Sequence, residues 1–190
     1  MRLSQLVRAG IADRHDDAGD VRYTLTSAGR ELQPVVEALG VWGIRWIGEI
    51  GDEDLDPKLL LWDMHRNINH HVVPAGRTTI HFAFPGTPAH SRYWWLVIAA
   101  GQADVCDADP GFPVTITITI TITITAALRH MIQVWRGDLD WRTALRSGDI
   151  TITGPEEPRR SAPRWFTLPA FATVKRPIPS APHQDGQITS

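Results

Sequence analysis

A chain of 190 residues that is 43% hydrophobic and 21% charged has enough apolar material for a buried core, in one large domain or two small ones. Its formal charge of −2 gives it no overall attraction for polyanions, and a single cysteine, Cys106, excludes an internal disulfide framework and fits a reducing compartment. No apolar run approaches the roughly 20 residues of a membrane helix, and the N-terminus lacks the charged-then-apolar pattern of a signal peptide. A cytoplasmic protein without membrane insertion is expected.

In chain order, Leu3, Leu6 and Val7 are spaced as one face of a helix that Gly10 stops. Ile11–His15 and Val21–Leu25 read as two short strands, joined as a hairpin by the polar stretch Asp16–Asp20. Thr26 is placed to cap a helix running to about Ile50, with Pro34 as a point of kinking. That helix carries Leu32, Val35, Val36, Leu39, Trp42, Trp46 and Ile50 on a stripe with no partner in the first fifty residues. Packing on a second copy, as a homodimer, or on the rest of the chain is implied.

An acidic linker, Gly51–Asp56, leads to Asp56-Pro57, a side-chain acceptor followed by a preset φ, which opens a helix over Pro57–Asn67. Val72-Val73-Pro74 is extended. Strand patterns follow at Arg77–Phe84, Tyr93–Ala99, Ala103–Cys106 and Val114–Thr125, with a turn cluster at Asp107–Gly111. Leu128, Met131, Ile132 and Trp135 make an amphipathic helix. Trp141, Ala144 and Leu145 start another that Gly148 ends, Asp149–Thr153 is a short strand, and a last helix lies near Pro158–Phe166. Strands followed by helices, rather than strict alternation, predict an α+β fold with a mainly antiparallel sheet and helices on one face.

Two compositional features stand out. Thr115–Thr125 alternates Thr and Ile throughout, giving one all-Ile and one all-Thr face, as a half-buried strand requires. A strand of that length is about twice the usual one, and it can slip by two residues without changing sidedness. Six of the eight Trp lie after residue 60. Such residues either pack a core or line a ligand cavity.

Catalytic and metal constellations are weak. His65, His70, His71, His81 and His90 have no spacing that sets two imidazoles on one helical face beside a carboxylate. Asp104, Asp107 and Asp109 lack the glycine and terminal glutamate of a calcium loop and read as turn residues. Cys106 has no nucleophile signature, no serine sits in a glycine-flanked elbow, and no glycine-rich phosphate loop occurs. No enzyme, no metal and no cofactor are expected.

Residues 2–14, Arg-Leu-Ser-Gln-Leu-Val-Arg-Ala-Gly-Ile-Ala-Asp-Arg, resemble the end of the recognition helix and the first wing strand of HxlR-type winged-helix regulators. Val21–Thr26, Gly29, Leu32 and Trp42-Gly43 resemble the rest of that wing and the family's dimerising last helix. In such proteins the recognition helix enters the major groove and the wing touches the flanking backbone. The resemblance implies duplex DNA as a partner, with Arg2, Gln5 and Arg8 facing it from the helix and Arg14, His15 and Arg22 from the wing. The chain begins inside the recognition helix, and residues 1–50 carry six Arg against seven Asp and Glu. Weak DNA binding by the chain as given is therefore expected.

Residues 57–177 resemble the sterol carrier protein type two fold, through Leu61–Met64, Tyr93–Val97, Asp104–Asp107 and Trp135–Leu139. Trp141, Ala144-Leu145, Gly148–Ile150, Gly154, Trp165-Phe166 and Phe171-Ala172 extend the likeness. It implies an apolar tunnel between sheet and helices for a small lipid-like ligand. Phe82, Phe84, Trp95, Met131, Trp135 and Trp165 are the candidate lining residues, and each suits a solid core equally. The organisation expected is a partial winged helix over 1–50, a linker over 51–56, a ligand-binding domain over 57–177 and a disordered tail over 178–190. A ligand-responsive regulator is the first functional reading, and a stand-alone carrier or buffer of apolar ligands the alternative.

Overall fold

The computed structural model describes residues 2–17, 19–47, 50–111 and 119–175. The chain divides into two compact units, one within residues 1–48 and one within 49–173.

The first unit is a helix, a hairpin and two helices. Helix α1 (Arg2–Arg8) ends at Gly10, whose φ of +70° only glycine adopts without strain. The Ile11 N–H then donates to the Leu6 carbonyl and the Gly10 N–H to that of Val7, which together satisfy the open end of the helix. Strands β1 (Ala12–Asp17) and β2 (Asp20–Leu25) pair antiparallel from Ala12↔Leu25 to Asp17↔Asp20. The hairpin is thus longer and its turn tighter than a loop over 16–20, because Asp16, Asp17 and Asp20 join the ladder and Gly19, at φ +97°, makes the reversal.

Thr26 caps helix α2 (Ser27–Glu31), its Oγ1 accepting from the Gly29 N–H at 3.0 Å. The single helix expected from Thr26 to Ile50 is two. Leu32 separates α2 from α3 (Gln33–Trp46), and Pro34 occupies the first turn of α3, where its missing N–H costs nothing.

In the second unit Asp56 Oδ1 accepts from the N–H groups of Lys58 and Leu59 (2.7 and 3.2 Å) and starts α4 (Pro57–Arg66). Strands β3 (Arg77–Ala83), β4 (Tyr93–Ala99), β5 (Gln102–Cys106), β6 (Thr119–Ala126) and β7 (Ile150–Thr153) form one sheet in the order β5-β4-β3-β6-β7. Every pairing is antiparallel except β3 with β6. Of the long Thr-Ile strand, residues 114–118 lie outside the described residues. The described part behaves as its alternation requires, with Ile122 and Ile124 buried and Thr121 exposed. The remaining helices are α5 (Leu128–Trp135), α6 (Trp141–Ser147) and α7 (Glu156–Ser161). A 3-10 turn, Ala162–Trp165, continues α7, so the last helix starts earlier than Pro158 and tightens before Phe166.

The register puts Ile80, Phe82, Trp94, Leu96, Ile98, Ile122, Ile124, Ile150 and Ile152 on one face of the sheet. They share one core with Leu61 and Met64 of α4, Leu128, Met131, Val134 and Trp135 of α5, Ala144 of α6 and Trp165. The linker belongs to this unit as well. Asp52–Asp54 forms a 3-10 turn, and Arg129 on α5 donates to the Ile50 carbonyl and to Asp52. The tail over 178–190 lies outside the described residues.

Candidate DNA-binding hairpin and apolar core

Gln5 and Arg8 are exposed on α1, and Arg8 Nε reaches back to the Ser4 carbonyl at 3.4 Å. Arg2 opens the same helix, but its side chain lies outside the described residues. The wing residues do not form one surface. Arg14 pairs across the ladder with Tyr23, and His15 with Arg22, so Arg14 lies on one face of the hairpin and His15 and Arg22 on the other.

Each wing cation already has a partner. Arg14 pairs with Asp16 and Arg22 with Asp17, both at 2.8 Å, while His15 Nε2 meets Thr24 Oγ1 at 2.8 Å. These exposed pairs add little stability, so the arginines are free to exchange a carboxylate for a phosphate. The carboxylates stay beside the exchanged contact, however, and repel the same phosphate. The sequence showed the acidic residues of the wing but not which arginine each would neutralise.

The structure brings five of the six ligand-lining candidates together. Phe82, Phe84, Met131, Trp135 and Trp165 are all buried in the same cluster. Trp95 is not among them. Its ladder partner is His81, one residue out of phase with Phe82, so it lies on the opposite face of the sheet. The adjacent Trp94 takes the core side instead, its Nε1 donating to the Ser91 carbonyl at 2.8 Å.

Polar groups in the core are treated unequally. Trp135 Nε1 donates to Asp63 Oδ2 at 2.7 Å, which ties α5 to α4 and joins two of the motifs quoted above. Trp165 is fully buried, yet its Nε1 has no hydrogen-bond partner, an arrangement that costs stability unless something else accepts the proton. A further motif, Phe171-Ala172, meets the Trp135–Leu139 motif where Gly137, at φ +77°, lies so near Ala172 that an added Cβ would stand 2.2 Å from its carbonyl oxygen. Surface hollows elsewhere are lined by Glu156 to Arg164, by Ala83 to Tyr93 and by His70 to Gly101, and none of these draws on the five core residues.

Among the described residues no group of three or more His, Cys, Asp or Glu is placed to hold a metal ion. No described helix is long and apolar enough to cross a membrane. Burial pushes the Cys106 thiol above its ordinary value, and Asp104 and Asp107 add to the effect, so the group is a poor nucleophile. Burial holds His81 below its ordinary value against the opposing charge of Asp109. Sequence reasoning weighed His81 only as a metal ligand. Its place between Tyr93 and Trp95 was signalled by their i, i+2 spacing on a strand.

Residues 1–50 match the family of HxlR-like helix-turn-helix domains. Helix α1, the β1–β2 hairpin and α2–α3 all fall inside that match. No curated protein sequence matches the chain. Among solved structures the chain overlaps a double mutant of a sec-alkylsulfatase with a TM-score of 0.43 and 13% identity, over 58% of this chain and 16% of that one. Sterol carrier protein 2 like 2 from Aedes aegypti overlaps with a TM-score of 0.37 and 14% identity, over 56% and 96% of the two chains. A sterol carrier protein 2 gives 0.36 and 15%, over 60% and 87%. The chain spans less than a fifth of the sulfatase's length. These overlaps are loose, and nothing about the chain's chemistry follows from them.

Proposed function

We propose that the chain is part of a DNA-binding transcriptional regulator, in which residues 1–50 contact duplex DNA and the second unit accepts a small apolar ligand. The match of residues 1–50 to the HxlR-like helix-turn-helix family carries this reading. In it Gln5 and Arg8, with Arg2, approach the groove, and Arg14, His15 and Arg22 contact phosphates. Binding by this polypeptide is weak and without sequence preference, because each wing arginine stands beside an aspartate and the wing cations are divided between two faces. The protein works in the cytoplasm as a homodimer and performs no catalytic step.

The ligand half of the proposal draws support from the gathering of Phe82, Phe84, Met131, Trp135 and Trp165, and from the unpaired N–H of Trp165, which offers one polar anchor in apolar surroundings. Uptake requires α5 to move from the sheet. A stand-alone carrier of apolar ligands is the second reading, favoured by the neutralised wing.

A salt titration of binding to random and to operator-like duplexes tests the DNA half. The expected result is weak, sequence-independent binding that falls steeply with salt. Nanomolar, sequence-selective binding at physiological salt contradicts the impairment, and no binding at any salt leaves the carrier. For the second unit, a fatty acyl probe should change tryptophan emission, and Met131→Trp should abolish the change. A chain that takes up no such probe has a packed core and nothing more.

A further inference from the structure

The proposed function leaves the outer face of the sheet without a role. There Tyr93, His81 and Trp95 stand in a row, with ring centroids 5.5 and 5.0 Å apart and planes within 28° and 26° of parallel. Tyr93 is nearly half exposed. The row ends at a tight turn in which the Thr87 N–H donates to the Phe84 carbonyl and Gly86 takes a φ of +89°. Beside this turn Ala83, Pro85, Gly86, Arg92 and Tyr93 line a hollow of about 300 Å³.

Arg92 is anchored at the same turn, its Nη2 donating to the Thr87 carbonyl at 3.2 Å. Its Nε is buried and has no acceptor. Among the described residues no carboxylate stands within ion-pair distance of it, unlike Arg14, Arg22, Arg129, Arg136 and Arg160. A fixed guanidinium that lacks a counter-ion beside a half-exposed ring is unbalanced in both charge and stacking.

We infer that the hollow and the ring row bind a planar aromatic carboxylate, its acid group on Arg92 and its ring over Tyr93 and His81. A carboxylate matches the forked donors of a guanidinium, and an aromatic body gains from offset stacking on exposed rings. The orientation follows from the lining: Arg92 stands with Tyr93 at the hollow, at one end of the row, so the anionic group is turned toward that end. This site is separate from the apolar core, from which the sheet divides it.

Titrating the full chain with 2-naphthoate, followed by calorimetry and tryptophan emission, tests the inference. Saturable binding to one site is expected. 2-Naphthamide, which keeps the ring and loses the charge, should bind more weakly by roughly ten- to a hundredfold. Arg92→Gln should impose the same loss on naphthoate and leave naphthamide unchanged, while Tyr93→Ala weakens both. If Arg92→Gln does not fold, as read by circular dichroism, the naphthoate–naphthamide contrast on the unaltered chain and the Tyr93→Ala result decide. Equal affinity for the two probes, or no saturable binding, overturns the inference.

Discussion

The two units keep their shape by different means. Among the described residues of the first, Ala12 and Gly29 alone are buried, while Val35, Val36, Leu39, Trp42 and Trp46 on α3 are each more than half exposed. The second closes a continuous core over one face of its sheet. Local hydrogen bonds hold the first unit: the glycine stop after α1, the hairpin ladder and the Thr26 cap. The second is held by apolar burial, which is worth far more per residue. Regular secondary structure is therefore no sign of an independent core, and a unit built like the first depends on what covers its apolar helix face.

The largest test of this contrast is Phe82→Ala. Phe82 is fully buried at the centre of the sheet, and its loss should lower the unfolding free energy of the second unit by about 3–5 kcal/mol in a urea titration. A loss below 1 kcal/mol would show a core far looser than its burial indicates.

Next comes a position where the first unit is as intolerant as a core. A Cβ on Gly29 would lie 2.1 Å from the Ile11 carbonyl oxygen, a backbone atom that cannot move aside. Gly29→Ala should destabilise the junction of hairpin and α2 by about 1–3 kcal/mol, measured as faster amide exchange over residues 11–31. Unchanged exchange there would mean that the two elements do not meet as closely as the structure has them.

A smaller effect is expected from pH. Hydrogen bonds from the Thr143 side chain and N–H hold the Asp140 carboxyl below its ordinary value of 3.8 at the start of α6. A carboxylate whose pKa is depressed by folding contributes stability that is present above the unfolded value and is lost as pH falls through the folded one. Acid unfolding of the second unit should be less steep in Asp140→Asn, which caps without titrating. Identical acid profiles for the two proteins would remove the cap from the account.

The smallest expected effect is the counterpart of the first. Leu39 is 64% exposed, so Leu39→Ala should change the stability of the dilute chain by no more than about 0.5 kcal/mol. At higher concentration the same substitution should weaken self-association, read by sedimentation. A large loss of stability in the dilute chain would mean that α3 is covered within a single copy.

Much of this was legible in the residues themselves. Gly10, Thr26, Asp56 and Gly148 end or begin helices where their chemistry places them, because a cap or a left-handed stop is decided within three or four residues of chain. The alternation of Thr and Ile set which side of β6 is buried for the same reason. The break at Leu32 was less legible, since the apolar stripe runs through it and only Pro34 marks the new start.

What the sequence by itself determined is therefore local: the identity of the elements, their ends and the sidedness of each strand. The tertiary structure alone decided the order β5-β4-β3-β6-β7 and the parallel pairing of β3 with β6, which joins residues some forty positions apart. It also decided that Trp94 faces the core and Trp95 the opposite side. Both residues suit either environment, and adjacent positions on a strand are forced onto opposite faces. Only the register that buries Phe82 and Ile80 together with Leu96 says which of the two goes inside.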